Sequence, residues 1–234
     1  IFDDGRVSLM DEQQHRIARR PTSNIDAYEL YLKGIFSQDK MKKADNSLAI
    51  EFFKQGIQLD TTFAEGYAGL ASAQHFNYAQ GYDIDEQWLA EAERNCRRAV
   101  MLDSTLANAY STLGSILGLQ GKREDALWML ERSTFLNPNM VASYSSLGAI
   151  YFDPPQNLPK ALTYFIRAMD IDPTNYMTVM NVGIGRAMMK DYFGMVQFFR
   201  IATTLEGANE HAWENFGLGY ERQGMYDSAV IAYR

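Results

Sequence analysis

The sequence predicts an all-α fold, a solenoid of stacked antiparallel helix pairs. Three observations carry that prediction. A small residue recurs at Gly114, Gly148, Gly183 and Gly217, in steps of 34, 35 and 34 residues. Around it, apolar residues fall at helical spacing: Tyr110, Leu113, Gly114 and Leu117 line one face of a helix. No alternating apolar–polar run and no hairpin signal competes with this reading.

The stretch from Asn108 to Pro138 defines the unit. Its first helix carries the stripe just named. Gly121 then permits a backbone turn that other residues resist. Ala126, Leu130 and Ser133 form the stripe of the second helix, and Asn137-Pro138 ends it, because proline cannot continue a helix. A pair this short cannot bury its apolar faces alone and needs neighbours.

Taken in order, residues 1–24 lie outside the repeat and read as a lead-in from an upstream domain. A short helix is predicted from Val7 to Ile17, and Pro21-Thr22-Ser23-Asn24 breaks it and offers caps for the next. Residues 25–234 are predicted to hold six units: 25–61, 62–104, 107–140, 141–175, 176–209 and 210–234. The first has Tyr28, Tyr31, Leu32 and Ile35, a long polar link from Ser37 to Ser47, then a helix from Leu48 to Leu59 with Ala49, Phe53 and Gly56. The second has Tyr67, Leu70, Ala71 and Gln74, then Ala92, Cys96 and Ala99. The fourth runs Tyr144, Leu147, Gly148, Tyr151, Ala161, Phe165, Ala168 and Pro173, with Pro154, Pro155 and Pro159 stiffening its turn. The fifth has Val179, Val182, Gly183 and Arg186, then Met195, Phe199, Ala202 and Gly207. The sixth has Trp213, Phe216, Gly217, Tyr220, Gly224, Tyr226, Ala229 and Tyr233.

Composition narrows the function. A chain of 234 residues that is 47% hydrophobic and 22% charged is expected to fold as a globular protein. It has no apolar run long enough for a membrane helix, and its first residues do not read as a signal peptide. A net charge of −7 argues against a nucleic-acid surface, which needs clustered cations. The basic stretches Arg16, Arg19, Arg20 and Lys40, Lys42, Lys43 sit among acids and read as solvated surface. The lone cysteine, Cys96, is expected to be a buried structural thiol; it fits a reducing compartment, so the cytoplasm is favoured, with the periplasm as alternative.

No catalytic constellation emerges, and the chain is expected to be neither an enzyme nor a cofactor or metal binder. His15, His75 and His211 lack metal-ligand spacing. Phosphate-loop, GxSxG, HExxH and CxxC motifs are missing. Gly183-Ile184-Gly185 lies inside a helix stripe without a preceding strand, so it is not a dinucleotide loop. Asp83 with Asp85, and Glu91 with Glu93, read as solvent-facing acids. Met177, Met180, Met188, Met189 and Met195 read as core filling rather than a binding surface.

The units resemble tetratricopeptide repeats, whose signature runs aromatic, Leu-Gly, Tyr, then Ala, aromatic, Ala, Pro. Here that is Tyr144, Leu147-Gly148, Tyr151, Ala161, Phe165, Ala168 and Pro173, and again Trp213, Phe216-Gly217, Tyr220, Ala229 and Tyr233. The resemblance implies a right-handed superhelix whose first helices line a concave side that binds partner segments. Residues 19–34 and 49–73 are also similar to a repeat subgroup of bacterial signalling proteins, where repeats follow regulatory, cyclase, kinase or DNA-binding modules. That implies a non-catalytic scaffold within a larger bacterial regulatory protein.

The expected groove positions lie one and two places after the aromatic and one after the small residue. They are Ser111, Thr112 and Ser115; Ser145, Ser146 and Ala149; Met180, Asn181 and Ile184; and Glu214, Asn215 and Leu218, with Ala68, Gly69 and Ser72 in the second unit. Some family members grip a terminal carboxylate with Lys, Arg and Asn at such positions. Here Asn181 and Asn215 are present but the cations are not, so that clamp is not expected. Two roles stay open for these residues: amides that bond an extended peptide backbone, or small side chains that let the array curve. The alternative function is self-association through the aromatic end formed by Trp213, Phe216, Tyr220, Tyr226 and Tyr233.

Overall fold

The computed structural model describes residues 21–82, 85–205 and 209–233. Among the described residues every regular element is an α-helix, and the helices pair in sequence order. The segment Val7 to Ile17 and residues Asp83 and Gly207 lie outside them. The chain divides into two compact units, one up to Ser104 and one from Thr105.

The first unit holds α1 (Ile25–Gln38), α2 (Lys43–Leu59), α3 (Ala64–Ala79) and α4 (Glu86–Leu102). Asn24 caps α1: its Oδ1 accepts from Ala27 N at 3.0 Å, while its Nδ2 donates to Leu59 O at 3.2 Å. Thr22 donates to the Asp60 carboxylate, so the start of α1 is tied to the end of α2. The predicted link from Ser37 to Ser47 is too long: α1 runs to Gln38 and α2 begins at Lys43. The reason is Asn46, a fully buried amide. Its Nδ2 donates to Ala73 O at 2.9 Å and Asn77 Oδ1 at 2.7 Å. A turn anchored by a polar side chain leaves no mark in an apolar pattern.

Phe53 fills this unit's core. A Cβ at Gly34 would lie 2.5 Å from its ring, and one at Gly69 would lie 2.6 Å from it, so both glycines allow the helices to close on the phenyl group. Tyr31 packs edge-on to Phe63, and burial, aided by the charge of Glu65, pushes its hydroxyl up to about 12. In α3, Gln74 is buried; its Nε2 donates to Glu91 Oε2 at 2.9 Å, and its Oε1 accepts from Asn95 Nδ2 at 2.8 Å. The acids expected to face solvent therefore have structural work. Glu91 serves Gln74, Glu93 holds Arg97 at 2.8 Å, and Asp85 caps α4 by accepting from Gln87 N.

The second unit holds α5 (Ala107–Leu119), α6 (Arg123–Leu136), α7 (Val141–Phe152), α8 (Leu158–Ile171), α9 (Tyr176–Met188), α10 (Tyr192–Ala202), α11 (Glu210–Arg222) and α12 (Tyr226–Ala232). Each pair closes by setting a glycine of the first helix against a large side chain: Gly114 on Leu130, Gly148 on Phe165, Gly183 on Phe199 and Gly217 on Tyr233. The turn inside a pair passes through a left-handed residue at Gly121, Lys190 and Gly224. Junctions between pairs are Asx turns: Asn137 Oδ1 accepts from Asn139 N and Asp172 Oδ1 from Thr174 N, both at 3.0 Å. The methionines divide. Met180 and Met195 join Val179, Phe199, Ala202 and Ala212 in the core, whereas Met177, Met188 and Met189 are exposed.

Candidate functional site on the first-helix face

The first helices of the second unit are α5, α7, α9 and α11, and they carry the twelve predicted groove residues. Two of these are buried. Ser111 is buried, and Met180 is held in the core beside Val179, Met195 and Phe199. The position just after the aromatic turns inward wherever a neighbouring helix covers it. The first unit corrects the same way: Ala68 and Gly69 are buried, Gly69 under the Phe53 ring, and Ser72 accepts from Gln38 Nε2 at 2.9 Å.

The remaining polar groups differ in what already occupies them. Ser115 Oγ and Ser146 Oγ share a hydrogen bond of 2.8 Å, joining α5 to α7, and Ser115 also donates to Ser111 O. Asn215 Nδ2 donates to His211 O within its own helix at 2.7 Å, and Glu214 lies 3.2 Å from His211 Nδ1. Thr112, Ser145 and Leu218 are half-buried. Asn181 is half-buried too, and its amide has no side-chain hydrogen bond among the described residues.

Three predicted residues converge. Ala149, Asn181 and Ile184 line a recess of about 120 Å3, together with Phe152, Asp153 and Phe165. Gly148 lets the Phe165 ring approach α7 closely, since a Cβ there would run into it. Phe165 and Ile184 form apolar walls and Phe152 a third, so the Asn181 amide sits beside an apolar surface, where a hydrogen bond shielded from water by a bound segment counts for more. Asp153 stands exposed at the edge, with no cation in ion-pair range among the described residues.

Sequence reasoning missed Phe152, Asp153 and Phe165. Phe165 was assigned only to packing. A signal for Phe152 did exist: Gly118 and Ala187 hold the matching position in the units on either side. An aromatic ring there is out of pattern.

Other chemistry-bearing groups lie elsewhere. Burial holds His75 well below its ordinary range, at about 4, so its ring is neutral near pH 7. Burial raises the Cys96 thiol, which removes its reactivity. His211 is exposed, and His15 lies outside the described residues. Among the described residues there is no group of three or more His, Cys, Asp or Glu able to hold a metal, and no helix long and apolar enough to cross a membrane.

No family model matches the chain. It is similar to anaphase-promoting complex subunit 3 of Schizosaccharomyces pombe, 26% identical over 128 residues, covering 55% of this chain and 18% of that protein. It is 32% identical over 92 residues to human tetratricopeptide repeat protein 6, covering 39% and 18%. The chain thus spans less than a fifth of the length of these relatives. Among solved structures, Pseudomonas aeruginosa PilF superimposes with a TM-score of 0.68 at 16% identity, over 88% of this chain and 90% of that one. One chain of the Cut9–Hcn1 hetero-tetramer of the anaphase-promoting complex gives 0.66 at 17% identity, over 88% of this chain and 42% of that one. YrrB, a tetratricopeptide-repeat protein with an unusual peptide-binding site, gives 0.55 at 19% identity, over 77% and 88%. At such identities the likeness is one of fold.

Proposed function

We propose that this chain, whose fold is that of tetratricopeptide-repeat proteins, is a non-catalytic interaction module that holds an extended protein segment along the first-helix face of its second unit. The observation that carries this reading is the meeting of Ala149, Asn181 and Ile184 at one recess, with an Asn181 amide that makes no side-chain hydrogen bond among the described residues. An Asn side chain both donates and accepts, so it can pair with the C=O and N–H of one residue of an extended strand. The peptide-binding site of YrrB, on the same fold, supports the reading by analogy. Membership of a larger bacterial regulatory protein is proposed on the similarity of residues 19–34 and 49–73 alone.

The test uses binders selected from a random twelve-residue peptide library on the intact chain. Asn181→Ala should weaken them about tenfold, the cost of a desolvated hydrogen bond. Asn215→Ala should weaken them far less, since that amide already bonds His211 O. Binders indifferent to Asn181→Ala would reject the groove.

Self-association is the second reading. It is favoured by the exposure of Trp213, Tyr226, Val230, Ile231 and Tyr233 on α11 and α12. A mass that stays monomeric in sedimentation at high concentration would remove it.

A further inference from the structure

The recess also says which segment it takes. This inference rests on the groove reading and sharpens it. We propose that the recess receives one aliphatic side chain of an extended partner peptide, and that Asp153 pairs with a Lys or Arg one or two residues from that anchor.

Size comes first. An apolar cavity of roughly 150 Å3 accommodates a benzene ring. At about 120 Å3, with one side open, this recess suits Leu, Ile or Met and is too small for Trp. Its walls agree: Phe152, Phe165, Ile184 and Ala149 present carbon, and Phe165, 3% exposed, is packed too firmly to swing aside. An aliphatic group entering here trades water for four carbon surfaces.

Polarity sets direction and neighbour. Asn181 lies at the same recess, so the anchor's own backbone is the group its amide can reach. Asp153 follows α7 and is exposed, and its backbone N–H is already used by Ala149 O at 3.0 Å. Its carboxylate has no cation in range among the described residues, whereas Asp191, in the next pair, is held by Arg186 at 3.1 Å. A cation on the partner would supply a counter-charge at this edge. An acidic neighbour would be repelled by Asp153 and by the chain's net charge of −7.

The experiment is the same library selection, read for sequence. The expected consensus is an aliphatic residue followed or preceded within two places by Lys or Arg. Asp153→Lys should invert the charge preference, so that reselected peptides carry Asp or Glu beside the anchor, with the original peptides weakened about two- to fivefold. Ala149→Leu, at an exposed position that costs little to fill, should occlude the recess and weaken aliphatic-anchored peptides at least about tenfold. Unchanged helical circular dichroism guards against a folding defect. Peptides that depend on Asn181 but show no aliphatic–cation pairing would overturn this inference and leave the groove standing. Peptides that carry the pairing yet ignore Ala149→Leu would overturn it as well. Peptides indifferent to Asn181 would instead sink the groove reading.

Discussion

The pairs α3/α4 and α7/α8 solve one packing problem in opposite ways. In α7/α8 the first helix gives up volume and the second supplies it, Gly148 against Phe165. In α3/α4 the matching positions are Ala71 and Cys96, each fully buried. The next turn differs as well. Tyr151-Phe152 in α7 corresponds to Gln74-His75 in α3. Tyr151 lies under cations, with Lys160 Nζ 4.1 Å from its ring centre and Arg123 at 5.5 Å, while Gln74 is sealed between Glu91 and Asn95. What the two pairs share is a buried contact at this position and a polar group with a partner at the next turn. The identity of the residues differs, and in α7/α8 the Phe165 ring lines a recess.

Truncation should break this comparison most visibly. Phe165→Ala removes a ring that α7 is shaped around and should cost about 3–5 kcal/mol. Cys96→Ala removes one atom and should cost about 1 kcal/mol. Urea unfolding followed by circular dichroism gives both values. Equal losses would mean that the size of the buried side chain does not set the cost at these positions.

Acid separates the two regions next. His75 is neutral in the fold, with its protonation held down to about 4, against about 6.5 for the free side chain. Between those values the unfolded chain binds the extra proton, so stability is full above about pH 6.5 and falls as pH drops toward 4. The ring keeps a partly exposed edge, so the loss should be about 2 kcal/mol rather than the full amount. His75→Phe copies the α7 arrangement and should flatten this part of the profile. A variant with the same acid sensitivity as the parent would place the titrating group elsewhere.

A glycine series sharpens the packing argument at smaller scale. A Cβ at Gly148 would run into the Phe165 ring, whereas one at Gly118 would sit 3.5 Å from Ile150, an ordinary contact. Gly148→Ala should therefore lose about 2 kcal/mol through overpacking. Gly118→Ala should gain up to about 1 kcal/mol from helix propensity. If both substitutions stabilise, Phe165 is looser than the fold implies.

Most of the architecture could be read because it is written in carbon. The spaced glycines and the stripes that ride with them place each pair from residue 107 onward, since burying apolar surface is what holds a repeat together. The start of α2 was lost because Asn46, a polar residue, does the anchoring there. The residues of the recess were partly readable. Repeat spacing singles out Asn181, two places after Val179, and Ile184, one after Gly183, but it cannot tell which hydroxyls are consumed in bonds between helices, as Ser115 and Ser146 are. Nor can it find Asp153, whose position depends on where α7 stops.

The smallest expected effect concerns the turns. Gly121 holds φ at +75° and Lys190, at the same place two pairs later, holds +61°; in the first unit Met41 holds +53°. A side chain in this region costs about 1–2 kcal/mol, and glycine avoids that cost but loses roughly 0.5–1 kcal/mol of chain entropy on folding. Lys190→Gly should therefore change stability by less than about 1 kcal/mol, in the stabilising direction, because the exposed Lys190 side chain makes no compensating bond among the described residues. Gly121→Ala should lose about 1 kcal/mol, since nothing near the site offsets the strain. A large loss in Lys190→Gly would show that the side chain itself, and not the backbone of the turn, fixes how α10 folds back on α9.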